Sequence, residues 1–477
     1  METTTAVDKK GLFITNTGQN VIFTFILVTS LFLLWGFCNG LIDTMDKHFQ
    51  NELHLTKSQS ASVQFAHYLG YFLMSIPAGW LATKLGYKGG IITGLLIVCL
   101  GGLWFLPATR ISEMVESGGV SATGAFIAFL AGVCLIATGL TFLETIANPY
   151  TTVLGDMHYS ATRINLAQSF NGIGWIFGPI VASVFFYPTE VAGQSSGNQT
   201  LYIPYVTIAA VVFVLAAVFY FAPVPDIKME DDYHLDDATA NVSHSIWTHR
   251  HFVFAIAAQF FYVAAQAGIF SFFINYMTAE VPPIPAAWQD WLNQLAGQAG
   301  VLHNWLSGWI VTAANGKLAI SDKGASNLAS LAFVCFLLGR LSGAGLLRRY
   351  SAHKVLGTYA ALNVVVTFLV FCKLGWVSVC CVFLSYFLMS VMFPTIFALG
   401  IFGLGVRAKR ASSYIVMAIM GGAVLPKLMG YVADKFDMSR GFIVPLVCFA
   451  LVALYGFAWP KLSKAESLRS SPMTAGH

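Results

Sequence analysis

The sequence predicts an all-α membrane protein, with about twelve transmembrane helices in two six-helix halves. The first observation is composition: the 477-residue chain is 57% hydrophobic and 10% charged, whereas soluble proteins carry about 25% charged residues. The second is the recurrence of apolar runs long enough to cross a bilayer. The third is a polar, acidic segment that interrupts these runs near the middle of the chain. This composition excludes a soluble protein.

Each predicted span is an apolar run of about 20 residues or more, the length at which a helix crosses the hydrocarbon core. The residues before the first run are polar, and that run is too long for a cleaved signal peptide. The predicted spans lie near residues 20–46, 59–83, 89–108, 121–152, 163–187, 201–222, 250–278, 325–347, 354–373, 375–402, 410–433 and 439–459.

The break in hydrophobicity at 223–249 is the main boundary of the chain. Its acidic run is typical of a solvated linker, and a regulatory segment is the alternative. The predicted units are a tail at 1–19, an N-terminal bundle at 20–222, the linker at 223–249, a C-terminal bundle at 250–459 and a tail at 460–477.

The two halves carry similar turns at matching places. GWLATKLGYK (79–88) follows the second predicted helix, and GAGLLRRYSAHK (343–354) follows the eighth. Each is a glycine followed by basic residues, which indicates an internal duplication. Duplicated six-helix halves are typical of transporters whose substrate site lies at the interface between the halves.

Basic residues predict the orientation of the chain in the membrane. Lys84, Lys88, Arg163 and Arg340 are among those assigned to cytoplasmic connections, which together hold more Lys and Arg than the outer loops do. Because cytoplasmic loops carry an excess of these residues, both termini are expected in the cytoplasm.

An insertion at 279–324 separates the seventh and eighth predicted helices on the outer side. Trp288, Trp291, Trp305 and Trp309 follow one another in it at roughly helical spacing. Since Trp prefers the headgroup level, we predict an amphipathic helix lying on the outer face, with a lid over the substrate as the alternative.

The remaining composition argues against other classes of partner. The eight cysteines are scattered, without the spacing of a metal site or a disulfide framework, and we expect no metal. A net charge of +4 is too small and too dispersed to indicate nucleic-acid binding.

Four of the ionisable residues inside predicted spans are candidates for function: Asp43, His67, Glu144 and Lys427. Charges inside a membrane are costly and mark functional sites. A carboxylate removed from water favours its neutral form, so Asp43 and Glu144 can load a proton on one side and release it on the other. Lys427 and His67 are possible charge partners. The structural alternatives are a helix end for Asp43, a helix–helix hydrogen bond for Glu144 or His67, and outward snorkelling for Lys427.

Amide and aromatic side chains surround these positions in the sequence and predict a site for a small polyol. Asn and Gln pair with hydroxyl groups as donor and acceptor together, and aromatic faces cover the C–H face of a pyranose. On the seventh helix, polar residues at i, i+3 and i+7 share one face. The predicted substrate-binding residues are Trp35, Asn39, Gln64, Tyr68, Asn148, Gln168, Asn171, Gln259, Tyr262, Gln266 and Asn275.

At these stretches the sequence resembles the fucose/glucose/galactose–proton symporter family of the major facilitator superfamily. The resemblance extends over nearly the whole chain. Its blocks are LWGFCN (34–39), VQFAHYLGYFLM (63–74), FLETIANP (142–149), RINLAQSFN (163–171), AQFFYVAAQ (258–266), HKVL (353–356), FPTIFALG (393–400) and SSYIVM (412–417).

The resemblance implies the major facilitator fold, with two pseudo-symmetric bundles and alternating access. It also implies that Glu144 is the coupling acid of the fourth helix and Asn171 a sugar contact on the fifth. The family pattern implies an acid beside Asn39, where this chain has Gly40. We expect Asp43, one turn further and on nearly the same face, to take that role.

The sequence therefore predicts a proton-coupled symporter, not an enzyme, that imports a hexose or 6-deoxyhexose such as L-fucose, glucose or galactose. We expect a monomer in the bacterial inner membrane, with sugar, protons and lipid as partners and no cofactor besides the coupling proton. One alternative is a proton-coupled exporter, since GWIFGP (174–179) resembles an exporter signature, although helix packing also explains that stretch. A membrane sugar sensor that does not transport is the other.

Overall fold

Helices form nearly all of the structure, a computed structural model that describes residues 13–14, 20–116, 118–154, 160–187, 202–225, 246–298, 303–313, 316–347, 349–402, 404 and 408–463. The N-terminal half contains α1 (Ile22–Leu53), α2 (Lys57–Ser60), α3 (Ser62–Glu116), α4 (Ala122–Val153), α5 (Ser160–Phe185) and α6 (Tyr202–Phe221). The predicted linker lies mostly outside the described residues.

The C-terminal half is built from shorter helical pieces and one hairpin. Its elements are α7 (Arg250–Ser271), α8 (Phe273–Ala279), α9 (Ala286–Gln298), α10 (His303–Leu306), β1 (Ile310–Thr312), β2 (Leu318–Ile320), α11 (Asp322–Leu347), α12 (Ala352–Phe371), α13 (Trp376–Met389), α14 (Met392–Ile401), α15 (Ala408–Met417), α16 (Gly421–Lys435), α17 (Met438–Gly441) and α18 (Ile443–Ser463).

The helix α3 contains two predicted spans. Its 55 residues would extend about 80 Å as one straight helix, far more than a bilayer core needs. The chain turns at Gly86, whose φ of 70° and ψ of −179° are non-helical and available at little cost to glycine. Gly86 therefore separates the second span from the third.

Within the described chain, ten helices are long and apolar enough to cross a membrane. The two other predicted spans are the first part of α3 and α5. Both are membrane-length helices that carry several polar side chains, among them Gln64, His67, Gln168 and Asn171. These polar residues lower the hydropathy of the two helices, and the count of twelve spans stays a prediction.

Large apolar side chains cover the outside of the bundle, as expected for a surface that contacts lipid. Ile26 on α1, Leu100 on α3, Phe213 on α6 and Leu454 on α18 are each about 60% exposed. A soluble protein rarely exposes such extended apolar surfaces. The buried core is continuous through both halves.

The helix α1 is longer than predicted. It continues to Leu53, where His54 adopts a left-handed conformation, rather than ending at 46. The predicted membrane span near 20–46 therefore covers only part of this helix. Polar residues after 46, such as Lys47, Gln50 and Asn51, lie on its last turns and contact the other half of the molecule.

Glycines bring α1 and α5 into backbone contact. A Cβ atom added at Gly178 would lie 2.5 Å from the carbonyl carbon of Gly40. Gly174 packs in the same way against the backbone of Leu33 and Phe37. The GWIFGP stretch thus packs two helices closely, the small-residue packing that membrane helices use.

The insertion folds as α9, α10 and a two-stranded hairpin, and its strands pair antiparallel with Ile310 opposite Ile320. The helix α9 presents Trp288, which contacts Trp376 at 5.1 Å between ring centroids. The prediction of one amphipathic helix holds for Trp288 and Trp291 only. Trp305 and Trp309 lie beyond it, since the chain turns through α10 into β1.

The two halves meet at the end of the bundle that carries α2, α9 and the hairpin. We call this the outer end, following the predicted orientation. The carboxylate of Asp434 accepts backbone N–H groups of Lys57 at 3.0 Å and Ser58 at 2.8 Å. Asp322 pairs with Lys47 at 3.7 Å and accepts the Asn51 amide at 2.5 Å. These contacts join the halves, and we call them the outer closure.

Candidate functional site

Asp43 lies on α1 with its carboxylate directed at the second span. Gln64 Nε2 donates to Asp43 Oδ1 at 2.9 Å. Asp43 is 6% exposed and Gln64 is 0% exposed. Asp43 Oδ2 and Gln64 Oε1 have no hydrogen-bond partner among the described residues. The pair therefore keeps acceptor capacity that a proton or a hydroxyl group could use.

Gly40 does not face this pair. A Cβ atom at Gly40 would meet the backbone oxygen of Trp175 at 3.0 Å and Cα of Gly178 at 3.1 Å. The close contact between α1 and α5 leaves no room there for a carboxylate. Position 40 is thus occupied by the α5 contact, and the coupling role of Asp43 in place of an acid at 40 stays a prediction.

Glu144 lies on α4 and is 8% exposed. The Tyr71 hydroxyl lies beside its carboxylate, and the Trp35 indole lies beside that hydroxyl. In the described structure neither Tyr71 OH nor Trp35 Nε1 has a formed hydrogen bond. These groups are donors held next to a carboxylate, an arrangement that can stabilise its ionised form after a proton leaves.

A chain of amides connects α4 with α5 and the C-terminal half. Asn148 Nδ2 donates to the backbone oxygen of Glu144 at 3.0 Å, and Gln168 Nε2 donates to Asn148 Oδ1 at 3.0 Å. Arg340 of α11 donates to the backbone oxygen of Gln168 at 3.4 Å and to that of Ser390 at 3.5 Å. Arg340 thus links the two halves on the side of the site away from the outer closure.

Asn39 and Asn171 lie where α1 meets α5. Asn171 Nδ2 donates to the backbone oxygen of Phe32 at 3.3 Å, and Asn171 packs against Gly36. Asn39 Oδ1 has no partner within the described part of the chain. In this state the Asn171 amide is bonded to the α1 backbone, while the Asn39 side-chain oxygen can still accept a hydrogen bond.

The predicted polar face of α7 is buried within the bundle. Gln259 is 0% exposed, and both of its amide atoms lack a described partner. The Tyr262 hydroxyl donates to the backbone oxygen of Met389 at 3.0 Å, and Gln266 is partly buried. An orphaned buried amide is costly unless a ligand or water satisfies it, so Gln259 is a strong candidate for substrate contact.

His67 and Tyr68 extend the aromatic wall of the second span. The His67 ring lies 5.0 Å from the rings of Tyr68 and Tyr71, and the described residues provide no hydrogen bond to His67 Nδ1. Tyr68 crosses to the other half, where its ring occupies the space over Gly422. The structure therefore brings His67 near the Glu144 group.

Two predicted residues lie elsewhere. Lys427 is exposed, with Nζ 5.4 Å from the Phe65 ring centroid, and does not reach the carboxylates. Its side chain follows the outward alternative. Asn275 forms a reciprocal amide pair with Gln50, at 2.5 and 3.4 Å, within the outer closure.

Sequence reasoning assigned no site role to Asp46 and Arg340, two charged residues that contact both halves of the bundle or lie between them. Asp46 is fully buried on α1, about one turn after Asp43. Arg340 was assigned to a cytoplasmic connection but lies inside α11. The signal for Arg340 was its place within an apolar run, the same signal that identified Glu144.

The chain is similar to known sugar transporters over most of its length. Residues 21–313 match the model of the Major Facilitator Superfamily. The chain is 33% identical to the L-fucose-proton symporter of Escherichia coli, with 94% of this chain and 95% of the relative covered. It is 28% identical to a glucose/galactose transporter of Brucella abortus, covering 94% and 96%.

Solved structures agree with these relatives. The chain matches the fucose symporter FucP in its outward conformation with a TM-score of 0.61 and 32% identity, covering 92% of this chain and 99% of that one. A D-xylose-proton symporter gives a TM-score of 0.64 at 14% identity, over 93% and 99%, which supports the fold alone.

Proposed function

Because this chain belongs to the Major Facilitator Superfamily, we propose that it is a proton-coupled symporter that imports a hexose or a 6-deoxyhexose by alternating access. It is a multi-pass inner-membrane protein and not an enzyme. The observation that carries the proposal is the 33% identity to an L-fucose-proton symporter over 94% of the chain. L-fucose, glucose and galactose are the sugars to test, because relatives named for each of these sugars match nearly end to end.

In this proposal the bundles at 20–222 and 250–459 are the moving units, and the 223–249 segment joins them. Glu144 and Asp43 carry the coupling proton. Both are nearly removed from water, a position in which an unpaired carboxylate favours its protonated form. Gln64 beside Asp43, and Tyr71 beside Glu144, would support the ionised forms after release.

The sugar would lie between the halves, among amides that are not fully used. Gln259 on α7 and Asn39 on α1 offer unpaired amide atoms to hydroxyl groups. Trp35 and Tyr68 provide aromatic faces on the side of the N-terminal half. Asn148, Gln168 and Asn171 would exchange their present partners for hydroxyl groups as the site opens. Tyr262 and Gln266 complete the α7 wall, and a role for Asn275 would begin only when its pair with Gln50 opens.

The closed outer end is one of the two states that alternating access requires. In the opposite state the contacts of Asp434 and Asp322 with the α1–α2 turn would separate. Arg340 and Gln168 already join the halves on the other side of the site, and this contact would separate when the site opens toward that side.

The test is sugar accumulation in proteoliposomes that contain the purified protein. Under an inward proton gradient, labelled L-fucose, glucose and galactose are each offered, and a proton ionophore serves as the control. We expect accumulation of at least one sugar above equilibrium, and its loss when the ionophore collapses the gradient. Accumulation that ignores the gradient, or none with any of the three sugars, would refute the proposal. Movement of sugar against the proton flux would instead identify an exporter.

A further inference from the structure

Asp46 is the most completely buried carboxylate that the proposed mechanism leaves unused. It is 0% exposed, and neither Oδ1 nor Oδ2 has a hydrogen-bond partner in the described structure. It lies on α1 where that helix meets α7, and the Ser271 hydroxyl at the end of α7 lies beside it. Ser271 is also fully buried, and no described residue pairs with its hydroxyl.

Asp46 and Ser271 form one level of a ladder between the two halves. One helical turn further along α1 lies Gln50, and one turn beyond Ser271 lies Asn275. Gln50 and Asn275 are hydrogen-bonded to each other through both amides. The level above Asp46 is therefore closed, and Asp46 lies beneath it, cut off from the outer solution.

No described positive charge pairs with Asp46 to offset the negative charge of its ionised form. Lys47, its neighbour on α1, pairs with Asp322 instead. The charged group that acts on Asp46 is the like-charged carboxyl of Asp43, whose other neighbours include Gln64 and Tyr386 of α13. His48 turns away, with Nδ1 at 3.3 Å from the backbone oxygen of Phe186. On α7 the facing group is a neutral hydroxyl. A carboxylate in such a place is stable only when it is neutral.

We propose that Asp46 is a proton sensor of the outer closure, and that the outer end closes only when Asp46 has taken up a proton. With the outer end open, the Asp46 carboxylate meets water and takes a proton from it, forming an O–H bond. Closure then buries a neutral acid beside Ser271. Its function in coupling rests on the proposed symport, in which Asp43 and Glu144 remain the transported-proton sites, but closure itself requires no sugar.

The test measures closure directly. Spin labels on cysteines introduced at His54 and Phe436, both exposed at the outer end, report the distance between halves in the full-length protein in lipid nanodiscs. The exposed Cys372 and Cys380 are replaced by Ser in every variant. The ratio of closed to open molecules is then followed from about pH 5 to about pH 8.5 without sugar, in potassium buffer.

The expected result is that the closed-to-open ratio falls with rising pH, and that Asp46→Asn makes this fall shallower by about one logarithmic unit per pH unit, the contribution of one proton. Ser271→Ala, which keeps the carboxyl group, should leave the slope unchanged, as should Asp290→Asn on the exposed face of α9. An Asp46→Asn slope equal to that of the unmodified protein would overturn the proposal. So would closure that follows sodium rather than protons, because the ladder would then be a sodium site.

Because the readout contains no sugar, it stands apart from the transport test. If closure shows the Asp46-dependent slope but none of the three sugars accumulates, the role of Asp46 is supported and the proposed substrate class is refuted. If sugar accumulates but the slope is the same for the unmodified protein and for Asp46→Asn, only the role of Asp46 is refuted.

Discussion

Glu144 and Lys427 are both charged side chains within apolar stretches, yet their surroundings differ completely. Glu144 is enclosed by Tyr71 and Trp35, while Lys427 is exposed above the Phe65 ring. A lysine can extend along a helix and place its ammonium outside the packed core, which a shorter carboxylate cannot do. The same sequence signal therefore marks a site in one case and the outer surface in the other.

For Glu144 we expect Glu144→Gln to separate exchange from proton coupling. The amide keeps the shape of the side chain but cannot take up and release a proton. Sugar counterflow, which needs no net proton movement, should persist within a few-fold, while gradient-driven accumulation should fall at least about tenfold. Loss of both, with a well-folded variant, would contradict a role in coupling.

The half-buried guanidinium of Arg340 is expected to matter far more for transport than the exposed ammonium of Lys427. Arg340 donates to backbone oxygens in both halves, and lysine cannot reproduce that fork. We expect Arg340→Lys to lower initial uptake about tenfold or more, since each lost charge-assisted hydrogen bond is worth about 1.5–3 kcal/mol. Lys427→Met is the matched control and should transport within about twofold of the unmodified protein.

At the scale of elements, α1 contacts three different neighbours with three consecutive turns. Gly40 lies against α5, Asp43 meets the second span, and Asp46 faces α7. Such a helix cannot change its rotation without disturbing all three contacts. This explains why the α1–α5 contact is made of glycine backbones, which fix the helix closely while leaving the carboxylates on the other faces.

Gly178→Ala should destabilise the protein through this contact. The added methyl group would overlap the Gly40 backbone, and overpacking of this kind costs about 1–3 kcal/mol. We expect a lower thermal midpoint and a lower folded yield in detergent. Gly297→Ala in α9, where an added Cβ meets nothing within 4 Å, is the control and should lower neither, since alanine favours a helix over glycine.

Another element-scale prediction concerns the loop between α12 and α13, which lies outside the spans. Burial lowers the pKa of Lys373, but the hydrogen bonds that it donates to Asp437 and Glu280, and their negative charges, raise it more, so the net shift is upward. The ion pairs are at 2.9 Å to Asp437 and 3.2 Å to Glu280. A raised folded-state pKa means that this stabilisation is complete below the unfolded pKa of about 10.4 and is lost as pH rises through the folded value.

Lys373→Met should therefore lower stability by less than about 1 kcal/mol, because the lysine is 40% exposed and solvent weakens the pairs. The difference in thermal midpoint between the two proteins should be constant across neutral pH and shrink only above about pH 10. A difference that vanished already near neutral pH would contradict the assignment of these pairs.

At the scale of the whole molecule, the closed outer end depends on a few polar contacts between two large apolar bundles. Asp434 accepts hydrogen bonds from the start of α2, and Asp322 pairs with the last turns of α1, so two carboxylates of the C-terminal half bind neighbouring segments of the other half. Contacts of this kind break at moderate cost in the headgroup region, which suits a gate that must open in each cycle.

Removing both carboxylates should favour the open outer end. For Asp322→Asn with Asp434→Asn, we expect the closed-to-open ratio, measured between spin labels at the outer end, to fall about tenfold or more, as lost charge-assisted bonds imply. Glu113→Gln, an exposed acid on α3, is the control. An unchanged ratio would show that the apolar packing, rather than these contacts, sets the closure.

The sequence by itself determined the membrane class, the two related halves and the positions of the acids Asp43 and Glu144. These follow from composition and from charges within apolar runs, because each charge in lipid requires a local reason. It did not determine helix ends or helix faces. The polar residues of α1 beyond 46 are covered by other elements, with Asn275 against Gln50 and Asp322 against Lys47 and Asn51, and hydropathy cannot detect a neighbour that is distant in the chain.

Only the tertiary structure decided which faces meet. It placed Asp46 between the halves, Arg340 against Gln168, Lys427 on the outside and Asn275 in the outer closure. The physical reason is that a membrane helix is apolar on its lipid side and its core side alike. Its rotation is therefore set by close packing and by polar pairs with other helices, not by a pattern within its own sequence.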